Sequence, residues 1–302
     1  MPQSMHSIPR VTLTLGLLFG LTSAAHAEKQ LLRWKLKEGE TYSLSISNQT
    51  QEKTPEGVSI LDAKTEETID FTWKIEKVRD GNIEIEMKID RIRFKQQRSN
   101  VKPTEWDSEA TIPDGESKPF VATLMGPAIG DPVRIVMSEL GDIVSIKRPW
   151  RIDRGRAGSS AMGVNPGTES FLDNLPLLLV NLPEEPVEIG EVWTYRQQEE
   201  GAFGRTTWRT DAKVAPQEES DTPGVIRISA DLQIGFRPGS GALRMSFQDL
   251  SGTGSWEFDP VAGHMISGKR DWVLTTVTRG RGFQVETHYE VHVQITMAKV
   301  EN

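Results

Sequence analysis

Apolar and polar residues alternate along most of this chain, and that period of two is the feature that most constrains its fold. Successive side chains of a β-strand point to opposite faces, so the alternation predicts strands with one buried face and one wet face. Clear runs begin at Tyr42, Ile69, Ile83, Val133, Ile226 and Phe283. Such strands are typical of antiparallel sheets that pack one face on a core. We therefore expect an all-β, antiparallel fold.

Local signals place a hairpin and an irregularity within the first strands. Asp80-Gly81 lies between two alternating runs, which is a strong signal for a tight hairpin turn. After Ile89 the apolar residues shift from odd to even positions. This shift predicts a β-bulge near Asp90-Arg91, or else the end of the buried stretch.

Two stretches lack any period. Residues 98–132 are rich in proline and predict a loop over the surface, and residues 149–167 carry a run of small residues that predicts a mobile loop. One short helical segment is predicted at 168–181, where apolar residues recur at helical spacing but Pro176 restricts the helix to short pieces. Within it, Leu177–Val180 fits a buried strand equally well.

A short motif occurs twice and suggests an internal duplication. Residues 37–42 (KEGETY) open the first set of strands, and residues 188–193 (EIGEVW) open the second. We interpret the chain as a first β-meander half at 28–148, a mobile loop and short helix at 149–182, and a second β-meander half at 183–302. The two similar halves are expected to form a sandwich or a curved half-barrel.

Residues 1–27 predict a secretory signal peptide. Arg10 precedes an apolar run of ~15 residues, which is short for a bilayer span. Ala25 and Ala27 offer the small side chains that signal peptidase requires, so cleavage is expected before Glu28. The competing interpretation is an uncleaved anchor. We expect a protein secreted across the inner membrane, periplasmic or extracellular, with no membrane-spanning segment after signal removal.

Composition excludes several functional classes. The chain has no Cys, which removes thiol catalysis, thiolate metal sites and disulfides. After cleavage, 34 basic residues face 43 acidic ones, and this net charge of −9 argues against nucleic-acid binding. No nucleophile elbow, zinc-protease motif or phosphate loop occurs. The sequence therefore assigns no catalytic residue and no cofactor, which favours a non-catalytic protein.

The last strand contains the best candidate metal ligands. His288, Glu290 and His292 share one face of that strand, so His288 with Glu290, or Glu290 with His292, could bind one ion. The competing interpretation is a solvated face whose other side is core, and we favour it. We therefore expect no metal, and replacement of both histidines by alanine should leave thermal stability unchanged with or without zinc.

Other chemistry-bearing residues are ambiguous. A basic cluster at 147–156 surrounds Trp150 and fits either an anion-binding patch or a charged loop. The tryptophans lie mostly within alternating runs, which favours core positions over a sugar-binding platform. Trp193 is expected in the core at the start of the second half. Many carboxylates are available for a glycosidase pair, but sequence alone selects no two of them.

Two motifs together resemble a family of secreted bacterial all-β domains of unknown function. The motifs are K-x-G-x-x-Y, at Lys37, Gly39 and Tyr42, and L-P-x-x-P-V-x-x-G-x-x-W, from Leu182 to Trp193. A late W-x-F-D-P-x-x-G at 256–263 adds support. The resemblance implies an all-β fold over nearly the whole mature chain and implies no activity.

These observations favour an exported envelope protein that binds a ligand or partner on a concave sheet face without catalysis. Curved sheets enclose apolar cavities, so an apolar or envelope ligand is the expected partner. The alternatives are a hydrolase of envelope polysaccharide that uses carboxylates not yet placed, and a structural or assembly protein. A cavity favours the first function, a cleft with converging titratable groups the second, and an exposed edge or apolar patch the third.

Overall fold

A computed structural model shows how the alternating segments pair. It describes residues 29–55, 62–99, 101–112, 117–148, 175–201, 204–216, 223–239, 244–280 and 282–301. The predicted signal peptide, its cleavage residues and most of the 149–182 loop lie outside these ranges. Described residues of that loop begin at Leu175.

Twelve strands form one antiparallel sheet. The strands are β1 (Thr41–Lys53), β2 (Ala63–Arg79), β3 (Asn82–Arg98), β4 (Thr104–Asp107), β5 (Pro132–Ser138), β6 (Ile143–Lys147), β7 (Val192–Gly201), β8 (Gly204–Val214), β9 (Ile226–Pro238), β10 (Arg244–Asp259), β11 (His264–Gly280) and β12 (Phe283–Lys299). Their order is β6-β5-β3-β2-β1-β12-β11-β10-β9-β8-β7, with β4 paired to β3 beside β5. The all-β antiparallel prediction is confirmed.

The sheet is not closed, because β6 and β7 are edge strands in the part of the chain that the structure describes. The sheet is also strongly curved. Arg270 on β11 reaches Tyr195 on β7, four strands away, at 3.3 Å. Neighbouring strands lie ~4.8 Å apart, so a flat sheet would separate these positions by ~19 Å. The molecule is therefore a curved half-barrel, with an inner and an outer face.

Predicted local features of the first strands are present. Asp80 and Gly81 both have positive φ, 51° and 71°, which is the conformation of the two-residue turn that joins β2 to β3. Asp70 pairs with Arg91 while Phe71 pairs with Ile89, so Asp90 is an extra residue in β3. The predicted bulge is confirmed at Asp90, and it explains why the apolar residues change parity there.

The two halves begin with the same turn. Gly39 and Gly190 both have a φ of 83°, as required at the third position of a type II turn. In the first turn the Lys37 backbone N–H donates to the Glu40 carboxylate at 2.9 Å. In the second turn the corresponding donation, from residue 188 to the carboxylate at 191, spans 3.0 Å.

Both turns also dock on the next strand in the same way. The Gly39 N–H donates to the carbonyl of Ile75 at 2.8 Å, and the Gly190 N–H donates to the carbonyl of Val214 at 2.9 Å. Ile75 and Val214 occupy corresponding positions near the ends of β2 and β8. The repeated sequence motif is thus a repeated structure, and it aligns β1, β2 and β3 with β7, β8 and β9.

The inner face is apolar over most of its area, whereas the outer face is polar. Tyr42, Leu44 and Ile46 point inward from β1 and are buried, and the residues between them point outward. Outward-facing acids and bases pair with one another, as Arg93 and Asp70 do at 2.6 Å. This is the distribution expected of a sheet with its core on one side and water on the other.

Two non-strand segments pack against the inner face near its lower end, which we define as the end where β1 begins. Residues 29–37 form the N-terminal segment, whose Leu32, Trp34 and Leu36 are buried. Its backbone bonds to the turn after β5 and to the turn after β10, through Glu139 at 2.8 Å and Gly263 at 2.7 Å. The N-terminal segment therefore ties the two halves together across this end.

Residues 175–187, here called the inner segment, contain one helical turn at 175–178, within the predicted 168–181 helix. Three tryptophan indoles donate to its carbonyls: Trp256 to Leu178 at 3.3 Å, Trp34 to Val180 at 3.4 Å and Trp193 to Asn181 at 3.0 Å. Because residues 177–182 are also buried, this apolar stretch is surrounded on all sides.

The described parts of the proline-rich stretch 98–132 contain regular structure that differs from the predicted surface loop. They contain β4 and a short helix, α1 (Phe120–Met125), followed by a 3-10 turn at Gly126–Ala128. Val121 and Met125 are buried, which gives α1 an inward side that the proline spacing did not predict. None of the helices in the described ranges is long and apolar enough to cross a membrane.

Candidate functional site

The inner faces of the two halves differ at equivalent positions. With the opening turns aligned, Leu44 and Ile46 of β1 correspond to Tyr195 and Gln197 of β7. On the next strand, Phe71 of β2 corresponds to Thr210 of β8. Three apolar core positions of the first half thus carry hydrogen-bonding side chains in the second half.

These polar side chains belong to a cluster with unfilled hydrogen bonds. Four buried side-chain atoms on the inner face of the second half have no hydrogen-bond partner in the structure: Gln197 Oε1, Trp208 Nε1, Thr210 Oγ1 and Arg270 Nε. Buried polar groups are nearly always paired, because each unpaired one costs about 1–3 kcal/mol. Four in one region make this part of the inner face a candidate binding site.

Arg270 is the central charge of this cluster. Its side chain points inward from β11, is 3% exposed, and lies with its guanidinium carbon 5.2 Å from the centre of the Trp256 ring. One terminal nitrogen donates to the Tyr195 hydroxyl at 3.3 Å. No acidic side chain in the described ranges pairs with it. Burial lowers the pKa of the Arg270 guanidinium, because the charged form loses its water.

Glycines on the inner face make room for this arrangement. A Cβ at Gly254 would lie 2.6 Å from the Trp256 ring, and one at Gly268 would lie 2.5 Å from it. The indole therefore rests directly on the backbones of β10 and β11. The face of the Trp256 ring is contacted by Arg270, which gains cation–π attraction but no neutralising charge.

An aromatic wall adjoins the charge. Trp272 follows Arg270 on the same inward side of β11 and meets Trp208 of β8 edge to face, with 5.6 Å between ring centroids. Their contact spans β9 and β10, and a Cβ at Gly252 would lie 2.8 Å from the Trp272 Cβ. Further up, Phe236 and Phe247 stack at 4.1 Å and are half-exposed.

The inner segment borders the cluster on its lower side. Gln197 Nε2 donates to the carbonyl of Pro176 at 2.6 Å and to Asn181 Oδ1 at 3.1 Å. Asn181 is buried and in turn donates to Asp142 beside β6. These bonds hold Gln197 in place, while its Oε1 accepts no hydrogen bond.

The arrangement suits an anion with an apolar part. A guanidinium offers five N–H donors in a fixed plane and binds carboxylate or phosphate through two of them. Thr210 and Trp208 supply further unpaired donors nearby, and Trp208 with Trp272 supplies apolar surface. No nucleophile–base pair occurs among these side chains, so the cluster is equipped to bind a ligand and not to cleave it.

Two carboxyl groups on the inner face of the first half have raised pKa values. Burial raises the pKa of Glu67 to about 7, and burial raises the pKa of Glu52, which accepts a hydrogen bond from Tyr289 at 3.1 Å. Glu67 pairs in register with Asn48, four residues before Glu52, so their backbones are ~14 Å apart along the strands. Glycosidase carboxyls lie roughly 5–9.5 Å apart, and this spacing does not favour that chemistry.

A surface groove between β2, β3 and β4 is lined by charged side chains that already have partners. Lys95 pairs with Glu105 at 3.0 Å, and Arg91 pairs with Asp107 at 2.5 Å. The charge of this groove is balanced internally, unlike that of Arg270. The second-half cluster is therefore the better candidate for a binding site.

The candidate metal ligands lie on the outer face of β12. His292 Nδ1 is 2.6 Å from Asp271, while His288 Nε2 is 3.7 Å from Glu290. The two histidines thus face different carboxylates. Within the described ranges, no three His, Cys, Asp or Glu side chains group closely enough to hold a metal ion. Their assignment as a solvated face stays a prediction.

Trp193 is less buried than its predicted core position requires. It is half-buried and packs at the edge of the core, with its indole N–H on the Asn181 carbonyl. The reason is that β7 is an edge strand, so no neighbouring strand covers that side of the ring. Of the basic cluster, only Lys147 and Arg148 fall within the described ranges.

Sequence reasoning missed Arg270, although a signal for it exists. Gly268, Arg270, Trp272 and Leu274 form an alternating run on β11, and a charge at an inward position of such a run is unusual. Without knowledge of the register, however, Arg270 was equally compatible with the solvated face. The register with Val293 and Gly254 decides its direction.

Comparisons with known proteins assign no family to this chain. No family model and no curated protein sequence matches the chain. Among solved structures, an outer membrane channel from Pseudomonas putida F1 aligns at 10% identity and a TM-score of 0.27, covering 88% of this chain and 97% of that one. Pseudomonas aeruginosa OccK7 aligns at 6% identity and a TM-score of 0.20, covering 88% and 100%. TM-scores this low transfer no function.

Proposed function

We propose that this protein is an exported, non-catalytic binding protein of the bacterial envelope that holds a small anionic ligand on the inner face of its second half. The observation that carries the proposal is the buried Arg270, which has no acidic partner in the described ranges and lies among three further side chains with unpaired polar atoms. Removing such a charge from water costs several kcal/mol unless an anion compensates it.

The first half supports this proposal by contrast. At the positions equivalent to Tyr195, Gln197 and Thr210 it has apolar side chains, so the curved sheet itself does not require polar groups there. Polar groups that the fold does not need, and that have unfilled hydrogen bonds, are typical of ligand-binding sites.

Export is the second part of the proposal. The signal-peptide pattern at residues 1–27 supports it, with cleavage expected between Ala27 and Glu28. A polar outer face and the absence of Cys both fit a protein located in an aqueous compartment of the envelope, periplasmic or extracellular.

The test is native mass spectrometry of the mature protein purified from an envelope fraction. We expect a small molecule that stays bound under native conditions and is released on denaturation, and we expect Arg270→Met to lose it. Lys269→Met is the matched control, because Lys269 is the adjacent cation on the outer face, where it pairs with Asp271 at 3.0 Å.

Circular dichroism of Arg270→Met checks that the variant is folded. We expect it to be at least as stable as the ligand-free parent, since it removes an uncompensated buried charge and keeps a long apolar side chain. A parent protein that is free of any bound molecule, or an Arg270→Met variant that retains it fully, would overturn the proposal.

A further inference from the structure

We infer that the ligand is an amphipathic carboxylate whose acid group lies at Arg270 and whose apolar chain runs along the aromatic wall toward the upper end of β9. This inference rests on the proposed function and specifies the class of ligand. It follows from the number of charges at the site, from the order of side chains along the strands and from their exposure.

The charge at the site favours a single negative charge. Arg270 is the one basic side chain in the cluster, and the group that it contacts is the hydroxyl of Tyr195 and not a carboxylate. A carboxylate neutralises one guanidinium, whereas a phosphate group carries nearly two negative charges at neutral pH. The second charge of a phosphate would have no partner among the described side chains of this buried region.

The order of side chains defines an apolar track. From Arg270, successive inward rows contain Trp272 with Thr210, then Trp208 with Ile234, and finally Phe236. Ala230 lies in the Arg270 row, so the track runs from Ala230 to Phe236 on β9. Six residues of strand span ~20 Å, which is comparable to the length of an extended long-chain acyl group.

Exposure along the track sets the orientation. Thr210 and Arg270 at the lower end are buried, with 0% and 3% of their surface exposed. Phe236 and Phe247 at the upper end are half-exposed, although both are large and apolar. The acid group of the ligand therefore lies at the buried, lower end of the track, and the end of its apolar chain lies at the stacked phenylalanines. The two stacked rings offer apolar surface that an apolar chain would cover.

The experiment is a titration of delipidated mature protein with octanoate, dodecanoate and hexadecanoate, followed by tryptophan fluorescence and calorimetry. We expect affinity to rise with chain length. Hexadecanol, which lacks the charge, should bind roughly 10- to 100-fold more weakly than hexadecanoate, the ratio expected for a hydrogen bond to a charged group. Arg270→Met should bind hexadecanoate as weakly as the parent binds hexadecanol.

Variants at the upper end test the chain. Phe236→Ala with Phe247→Ala should weaken hexadecanoate roughly 10-fold or more and leave octanoate unchanged, since the shorter chain does not reach these rings. Phe283→Ala, at a half-exposed phenylalanine on another hairpin, is the control and should change neither.

Failure of this inference is distinguishable from failure of the proposed function. If octanoate and hexadecanoate bind equally and both need Arg270, the anionic site stands and the apolar track is wrong. Tighter binding of hexadecyl phosphate than of hexadecanoate would overturn the choice of carboxylate. If no acid binds and no molecule co-purifies, the proposed function itself fails.

Discussion

The two halves of the sheet share a scaffold and differ in what they bury. Leu44, Ile46 and Phe71 close the first half with apolar contacts, whereas the equivalent Tyr195, Gln197 and Thr210 leave polar atoms inside the second half. Because both sets occupy the same rows of the same kind of sheet, the difference is not dictated by strand pairing. The repeated turn and strand pattern thus sets where the strands lie. The candidate binding site comes from the positions at which the second half has polar residues in place of the apolar residues of the first half.

The two opening turns teach the same lesson on a smaller scale. Glu40 accepts hydrogen bonds from Tyr42 at 2.7 Å and Lys299 at 2.6 Å. Among the described side chains beyond its own turn, Glu191 faces only Lys29, at 3.8 Å. Burial by itself would raise the pKa of Glu40, but the bonds from Lys299 and Tyr42 outweigh it and lower that pKa to about 2. The same turn geometry thus occurs with a tightly hydrogen-bonded carboxylate, that of Glu40, and with a solvated one, that of Glu191.

The largest expected effect comes from copying a second-half residue into the first half. Phe71→Thr, which copies Thr210, should lower the free energy of unfolding by ~3–5 kcal/mol, because it leaves a cavity and buries a hydroxyl. Urea denaturation measures the change. Phe71→Met, which keeps an apolar side chain of similar length, should cost less than ~1.5 kcal/mol. A loss below ~1 kcal/mol for Phe71→Thr would show that the two inner faces are interchangeable.

An intermediate effect should separate the two turns. At pH 7, Glu40→Gln should cost about 1–2 kcal/mol, since it weakens hydrogen bonds to a charged acceptor, and Glu191→Gln should cost less than ~0.5 kcal/mol. The lowered pKa of Glu40 means that its contribution is present above the unfolded pKa of 4.5 and is lost as the pH falls toward 2.

Thermal unfolding across pH 2 to 7 checks this prediction. The difference between the parent and Glu40→Gln should shrink steadily below about pH 4.5. A difference in thermal stability that stays constant down to pH 2 would mean that the Glu40 charge does not contribute to stability. The variant would then act through packing alone.

The smallest expected effect concerns one threonine hydroxyl on the inner face of each half. Thr210→Val in the ligand-free protein should leave the unfolding free energy unchanged or raise it by up to ~1 kcal/mol, because the Thr210 hydroxyl has no partner. Thr65→Val, on the inner face of the first half, should instead cost ~1 kcal/mol, since Gln96 donates to that hydroxyl at 3.2 Å. Equal losses at both positions would contradict the assignment of Thr210 to an unfilled site.

Much of the fold was predictable from sequence because alternation and turn chemistry are local. The Asp80-Gly81 turn, the bulge at Asp90 and the two Gly-Glu turns all follow from neighbouring residues. The site was not predictable, because it depends on which face Arg270 takes and on curvature that brings β7 to β11. The sequence predicts a core position for Trp193 because apolar and polar residues alternate in the same way in an edge strand and in a central strand.

The pairing of β1 with β12 has a consequence for how the chain folds. Tyr42 of β1 pairs with Lys299 of β12, so one edge of β1 completes its hydrogen bonds only when β12 is in place. Contacts between residues so far apart in sequence form slowly, because a long loop must close first. Until then β1 presents an unpaired edge to other chains, which is a known route to aggregation. Folding of this protein therefore depends on keeping its N-terminal strands apart from other chains until β12 is in place.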